Sequence, residues 1–408
     1  MSNLQPQTGT GTLPARRGYK SAFIGALVGW IFDYYEVALM TFLIVPIAAA
    51  FGLSGGQTAL VFSIQLLAMA VGGIGFGMLA DKYGRKNILF WTIVVYCVGT
   101  LARAFTFNYE WLIIWTIIAG LGIGGEYGVG QTLVSEVVPK EKRGWWGGLL
   151  YGGIYFGIAL AAVVGGYVAP AIGWRWTLVL STLPILIAIY IRKTTPESEV
   201  WQKKVEKTGV DWSQIFKASF MVPFFKCLIA ACLQFFAYYG ITTFLPTYLT
   251  KQGLSITHAS WWVLFSALAG LVGNVVASYT NDRWGRRVTL CYLAATAAVG
   301  GIILFLTWQY LLTSSWILLP FFILYFGCNA ATVFGVLFSE MFSSDLRSTG
   351  VSAALQIGRG LAFFPPLIAA SMSAAWGYQS VVLVGALEFL ALAAWAWVFK
   401  ETRGIKLD

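Results

Sequence analysis

Stretches dominated by apolar residues, each long enough to cross a bilayer as a helix, recur twelve times between positions 21 and 399 of this chain. They run 21–50, 57–80, 87–107, 111–137, 144–170, 175–193, 221–250, 258–280, 288–309, 315–341, 349–373 and 377–399. A spanning helix needs about 20 such residues, so the pattern predicts an all-α membrane protein. Charged residues are 11% of the sequence, against roughly 25% in ordinary soluble domains. The first twenty residues are polar and lack a short apolar core before a cleavage site, so no removable signal peptide is expected.

The loops carry a signature that occurs twice. Gly77-Met78-Leu79-Ala80-Asp81-Lys82-Tyr83-Gly84-Arg85-Lys86 is echoed by Thr280-Asn281-Asp282-Arg283-Trp284-Gly285-Arg286-Arg287. Both place an acid, a base, a turn glycine and two more bases in one order. Ser135-Glu136 followed by Arg143 recurs as Ser339-Glu340 followed by Arg347, and Glu197 after span six recurs as Glu401 after span twelve. Repeats of this kind predict two six-helix halves related by a pseudo-two-fold axis with a site between them, the plan of a secondary transporter. The halves are expected at 1–193 and 218–408, joined by a linker at 194–217, its one long polar connection, with room for a short surface helix but no soluble domain.

The net charge of +10 follows the loops. Arg16, Arg17, Lys20, Lys82, Arg85, Lys86, Lys140, Lys142, Arg143, Arg283, Arg286, Arg287 and Arg347 fall on one side, with the linker and the tail (Lys400, Arg403, Lys406). The other side holds little beyond Arg103, Arg175 and Lys251. This asymmetry is the positive-inside rule. It predicts a multi-pass protein of the plasma (inner) membrane with both termini cytoplasmic. The basic balance is topological, with contact to anionic lipid as a by-product, and no nucleic-acid partner is expected. The five cysteines have no metal-ligand spacing and read as packing residues. One histidine (His258), no metal cluster and no nucleophile motif argue against an enzyme. Glycines crowd spans four and five from Gly120 to Gly130 and Gly144 to Gly157, which predicts close helix packing there.

At these residues the chain resembles the major facilitator superfamily over almost its whole length. The segments Phe32-Asp33-Tyr34-Tyr35-Glu36, Gly124-Gly125-Glu126-Tyr127-Gly128, Gly173-Trp174-Arg175 and Pro196-Glu197 look like the metabolite:proton symporters, a group of sialic-acid, lactate-type and aromatic-acid carriers. The resemblance implies a latch at the duplicated loops: Asp81, Arg85, Glu136, Arg143, Asp282, Arg286, Glu340 and Arg347. Glu136 is expected to pair with Arg143, and Glu340 with Arg347. Two departures matter. Thr116 stands where many members have a span-four arginine tied to proton coupling, so that route does not carry over. Ala161 and Ala162 replace a proline-glycine signature of antiporters, which favours symport or uniport.

Ionisable residues inside a membrane cost roughly 2.5–3.5 kcal/mol on insertion scales, so each needs a reason. Asp33 and Glu36 share a face of span one. Two close carboxyls in low dielectric resist ionising together, which suits a proton carrier. Glu126, in glycine-rich span four, is a third candidate for proton coupling. Arg359 is the base nearest the middle of any span, and its planar fork suits a carboxylate. A salt bridge to Asp33 or Glu388 is the structural alternative. Gln356 lies one turn before it. Tyr34, Tyr127, Gln234, Tyr238 and Asn329 complete the candidate substrate site, with Gln65, Gln131, Tyr239 and Asn274 as further hydrogen-bonding groups and Tyr35 as a further aromatic wall.

The expected activity is proton-coupled symport of a small organic anion, a monocarboxylate such as lactate or an aromatic acid, by alternating access. The proton is the coupling ion, no other cofactor or metal is expected, and the carrier acts as a monomer. A sugar carrier or an organic-cation or drug exporter of the same superfamily is the alternative, with the acids binding substrate and Arg359 held structurally.

Overall fold

The computed structural model describes residues 19–195, 197–202, 211–251, 256–311, 318–365 and 375–406, with positions 314, 316, 368 and 372. The first eighteen residues, linker positions 203–210 and the side chain of His258 lie outside it. Helices account for the described chain. They are α1 (Tyr19–Phe51), α2 (Gly55–Tyr83), α3 (Arg85–Ala104), α4 (Tyr109–Val137), α5 (Arg143–Tyr151), α6 (Gly153–Val163), α7 (Ala169–Leu180) and α8 (Ile185–Thr194). Then come α9 (Ala218–Lys251), α10 (Ile256–Arg283), α11 (Arg286–Leu311), α12 (Leu318–Gly327), α13 (Phe334–Met341), α14 (Arg347–Leu361) and α15 (Tyr378–Trp395). Each begins within a few residues of an expected span or divides one. Among the described residues, eight helical stretches are long and apolar enough to cross a membrane unaided.

Local chemistry explains where these helices break. Ser54 and Gln57 form a reciprocal cap at the start of α2, the Gln57 amide donating to Ser54 Oγ at 3.3 Å and the Ser54 amide to Gln57 Oε1 at 2.9 Å. Asn108 accepts from the Trp111 amide at 3.1 Å and starts α4. Span five is α5 and α6 extended by a π-turn at Val164–Val168, and span ten is α12 and α13 joined by a 3-10 turn at Cys328–Val333. Gly84 and Gly285 separate α2 from α3 and α10 from α11, each with φ +97°. An L side chain rarely adopts that conformation, so the turn glycine of the duplicated signature is obligatory in both copies.

The fold is twelve membrane spans in two six-helix halves related by a pseudo-two-fold axis. Within the first half α4 packs on α2 and α3, and α1 on α6; in the second, α11 packs on α12 and α15. Across the halves α2 meets α14, and α5 meets α10. The glycine-rich faces pack closely, as their density predicts, each against a helix other than its partner span. Gly122 and Gly125 of α4 face Tyr96 and Thr92 of α3, while Gly144, Gly148 and Gly152 of α5 face Asp282, Ser278 and Asn274 of α10 in the other half. Bilayer lipid is as apolar as leucine, so close backbone contact and polar bonds are what hold such helices together.

Candidate functional site: a buried arginine between the halves

Arg359 leaves the last turn of α14 and is 6% exposed. Its Nη2 donates to the Tyr34 hydroxyl of α1. Its guanidinium lies over three rings, 5.0 Å from the centroid of Tyr34, 5.6 Å from Trp30 and 5.6 Å from Phe235. Its Nε has no protein partner, and among the described residues no carboxylate lies within ion-pair distance. The structural alternative of a salt bridge to Asp33 or Glu388 is therefore absent. Glu388 sits half-buried on α15, where it lines a separate apolar cleft with Phe236, Gly240 and Gly385.

The rings around Arg359 form one cluster. Trp30 packs 4.3 Å from Tyr127 and 4.8 Å from Tyr34, and Tyr127 meets Tyr151 at 6.1 Å. Trp30, Tyr127 and Tyr151, but not Tyr34, enclose with Phe235, Leu355, Gln356 and Arg359 itself a cavity of about 10 Å³ drawn from both halves. That is scarcely room for one water, so admission of an organic molecule requires the halves to part. Gln356 turns its amide nitrogen to the Gly124 carbonyl of α4 at 2.7 Å and leaves Oε1 without a protein partner.

Arg359, Gln356, Tyr34 and Tyr127 are brought together as expected from sequence. Three other candidates are not among the groups lining the cavity. Gln234 donates to the Cys328 carbonyl at 2.8 Å, and Tyr238 follows one turn later on α9. Asn329 accepts from the Tyr155 hydroxyl at 2.8 Å and donates to the Tyr325 and Phe326 carbonyls, so its polar atoms are committed. Trp30, Tyr151 and Phe235 went unnoticed in the sequence, where so many aromatics are packing residues; the one signal was Trp30 a turn before Tyr34.

The acids divide. Asp33 is 1% exposed and neither carboxyl oxygen has a protein partner. Glu36, expected to share a site with Asp33, is instead ion-paired with Arg103 and accepts from Thr100 at 3.1 Å. Arg103 was assigned to the far loop; it is fully buried at the end of α3, because its fork turns inward to Glu36. Glu126 accepts from Thr92 at 3.1 Å. Its other oxygen lies against Gly29 of α1, where any side chain would collide with it. Thr116 is buried and donates to the Leu112 carbonyl at 2.7 Å.

At the basic end of the bundle the duplicated motifs tie the halves together, and the main ties occur twice. Asp81 accepts from the Ser348 and Thr349 amides at 3.1 and 2.7 Å, at the start of α14. Asp282 accepts from the Gly144 and Trp145 amides, both at 2.7 Å, at the start of α5. These are carboxylates at helix N-termini, where the exposed amides and the helix dipole favour them. Arg85 reaches Asp81 at 3.1 Å and Glu136 at 3.3 Å; Arg286 reaches Asp282 at 3.1 Å and Glu340 at 2.9 Å.

The expected partners of Glu136 and Glu340 are exchanged. Arg347 pairs with Glu136 at 2.5 Å and Arg143 with Glu340 at 3.0 Å, each across the halves. Each arginine spends its Nε on the carbonyl of Ser339 or Ser135 in its own half, which aims the outer fork at the opposite glutamate. Glu197 accepts from the Arg85 and Lys86 amides, and Glu401 from those of Arg286 and Arg287. Burial pushes the Glu197 carboxyl above its ordinary range, against those backbone bonds.

The Major Facilitator Superfamily model matches residues 22–365. The chain belongs to that superfamily. It is 29% identical over 422 residues to the niacin transporter NiaP of Acinetobacter baylyi, covering 93% of this chain and 94% of that protein. It is 30% identical over 392 residues to the putative niacin/nicotinamide transporter NiaP of Bacillus subtilis, covering 93% of this chain and 96% of the relative. The solved structure of the proton:xylose symporter XylE superimposes with a TM-score of 0.80 at 20% identity, covering 95% of this chain and 97% of that one. This last likeness concerns the fold. As a facilitator-superfamily protein the chain is a multi-pass membrane transporter and not an enzyme.

Proposed function

We propose that this transporter is a proton-coupled symporter of a small organic anion, with an aromatic monocarboxylate as the best fit. The observation that carries the reading is Arg359, a permanent charge buried between the halves among aromatic rings, with no carboxylate among the described residues within ion-pair distance. A substrate carboxylate completes its hydrogen bonds, and an attached ring packs against Trp30, Tyr34, Tyr127 and Phe235. The niacin transporter of Acinetobacter baylyi supports that choice, niacin being a ring with one carboxylate, while the Bacillus subtilis relative is named for niacin or its amide. Asp33 and Glu126 hold the coupling proton; burial of a carboxyl group without partners costs least when it is neutral.

Transport proceeds by alternating access. The paired carboxylates at the basic end latch the halves together on the cytoplasmic side of the plasma membrane, where both termini lie. Substrate enters from the opposite side, and protonation with substrate binding neutralises the site before the latches release. One chain supplies both halves of the site, so a monomer suffices.

Uptake of labelled nicotinate, benzoate and lactate into proteoliposomes, with and without an imposed proton gradient, tests the reading. Accumulation of a carboxylate driven by the gradient is expected. Uptake indifferent to the gradient rejects coupling, and uptake of sugars with exclusion of carboxylates rejects the role given to Arg359.

A further inference from the structure

In the first half, one face of α3 carries Thr92, Tyr96, Thr100 and Arg103. Their spacing of four, four and three places them in line along the helix. All four are fully buried. Facing them are three carboxyl groups. Thr92 meets Glu126 at 3.1 Å, Thr100 meets Glu36 at 3.1 Å, and Arg103 closes on Glu36 and on the Thr100 hydroxyl at 2.9 Å. Tyr96 stands between Thr92 and Thr100 on the same face, its hydroxyl beside the Cys97 thiol and within the electrostatic reach of Asp33, Glu126 and Glu36. Around Asp33 itself the charged groups are Glu126, Arg359 and Glu36, from α4, α14 and α1.

This row is unusual in its open valences. Both oxygens of Asp33, Oε1 of Glu126, Oε2 of Glu36, the Tyr96 hydroxyl and Nε and Nη1 of Arg103 are buried without a protein partner. Buried polar groups are nearly always hydrogen-bonded, so a cluster of exceptions calls for a cause. Glycines hold the three helices close enough to make the row: Gly122 against Tyr96, Gly125 against Thr92, and Gly29 against Glu126. Packing alone does not require these residue types, since phenylalanine and valine would fill the same volumes with no polar cost.

We propose that this face of α3 is the proton path of the transporter, running from the Glu36–Arg103 pair past Asp33 to Glu126, with the Tyr96 hydroxyl as the relay between the last two. The proposal rests on the symport reading above. A proton leaves the Asp33 carboxyl for the Tyr96 oxygen while the phenol's own proton passes to the Glu126 carboxylate. One O–H bond breaks and one forms at each transfer, the phenol is restored and no electrons change hands. Tyr96 makes no direct hydrogen bond to either acid in this closed form, so bridging water or a small shift of α3 completes the chain. The path lies inside one half, whereas the carboxylate site lies between halves. Of the acids on the path, Asp33 has Arg359 among its charged neighbours, so the path is probed at Tyr96 and Thr92, whose loss uncouples without weakening substrate binding.

Tyr96→Phe removes the hydroxyl and keeps the ring. In proteoliposomes, exchange of labelled nicotinate against unlabelled, which needs no net proton movement, should stay within about two-fold of wild type, as should nicotinate affinity. Uptake driven by a proton gradient should fall at least tenfold. Thr92→Val should lower driven uptake in the same selective way, with Thr92→Ser restoring it, which keeps the test open if Tyr96→Phe folds poorly. Wild-type driven uptake in folded Tyr96→Phe overturns the relay alone, and so does an equal loss of exchange and driven uptake. Wild-type protein that moves no protons with any of nicotinate, benzoate and lactate overturns the symport reading and the relay with it.

Discussion

Asp81→Asn is the cleanest probe of the cross-half ties, because it preserves shape and removes one charge. Asp81 accepts three hydrogen bonds from α14 of the other half: the Ser348 amide at 3.1 Å and the Thr349 amide and hydroxyl at 2.7 Å. Hydrogen bonds to a charged group contribute about 1.5–3 kcal/mol each, against about 0.5–1.5 kcal/mol for neutral ones. Asparagine keeps one acceptor oxygen and turns an NH2 donor toward backbone donors, so the closed form loses roughly 2–4 kcal/mol. Arg85 loses one acid but keeps Glu136 at 3.3 Å, which limits the damage to this tie. The equilibrium between closed and parted basic ends should then shift by roughly 30- to 1000-fold. Spin labels at the exposed positions Lys82 and Ser343, one on each half, report the separation directly. The mutant should show a larger population of long distances and impaired transport at normal expression and insertion. An unchanged distance distribution with wild-type kinetics refutes the latch.

Three further outcomes are expected. Arg359→Ala should weaken carboxylate binding by roughly 10- to 150-fold, since a charge-assisted bond contributes about 1.5–3 kcal/mol, with Arg359→Lys intermediate; unchanged affinity in purified, folded Arg359→Ala removes the reason for proposing an anion. Asp33→Asn should abolish uphill accumulation while sparing exchange, and a mutant that still concentrates substrate places the proton elsewhere. Glu197→Ala and Glu401→Ala remove equivalent caps from α3 and α11, so each should cost about 0.5–2 kcal/mol of stability and lower the melting temperature by similar amounts; a large effect from one alone contradicts the equivalence.

The sequence by itself determined the spans and the halves. Each follows from local or repeated chemistry: apolar length for the helices, and a turn glycine that recurs at Gly84 and Gly285 because both need a positive φ. Arg359 was also legible, since a permanent charge in an apolar span stands out wherever the helix lies. Partnership was not legible. Glu136 stands near Arg143 in the chain, yet bonds Arg347 from the other half, because the fork of Arg143 is aimed by a backbone carbonyl at Glu340. Glu36 and Asp33 share a helix face, yet a buried arginine from α3 takes one and leaves the other bare. Asn329 looked free to bind substrate until the Tyr155 hydroxyl and two backbone carbonyls claimed it, and the Gln234 amide nitrogen went to the Cys328 carbonyl. Helical periodicity sets the direction in which a side chain leaves its own axis, but the identity of what waits there depends on how twelve helices pack, and only the tertiary structure decides that.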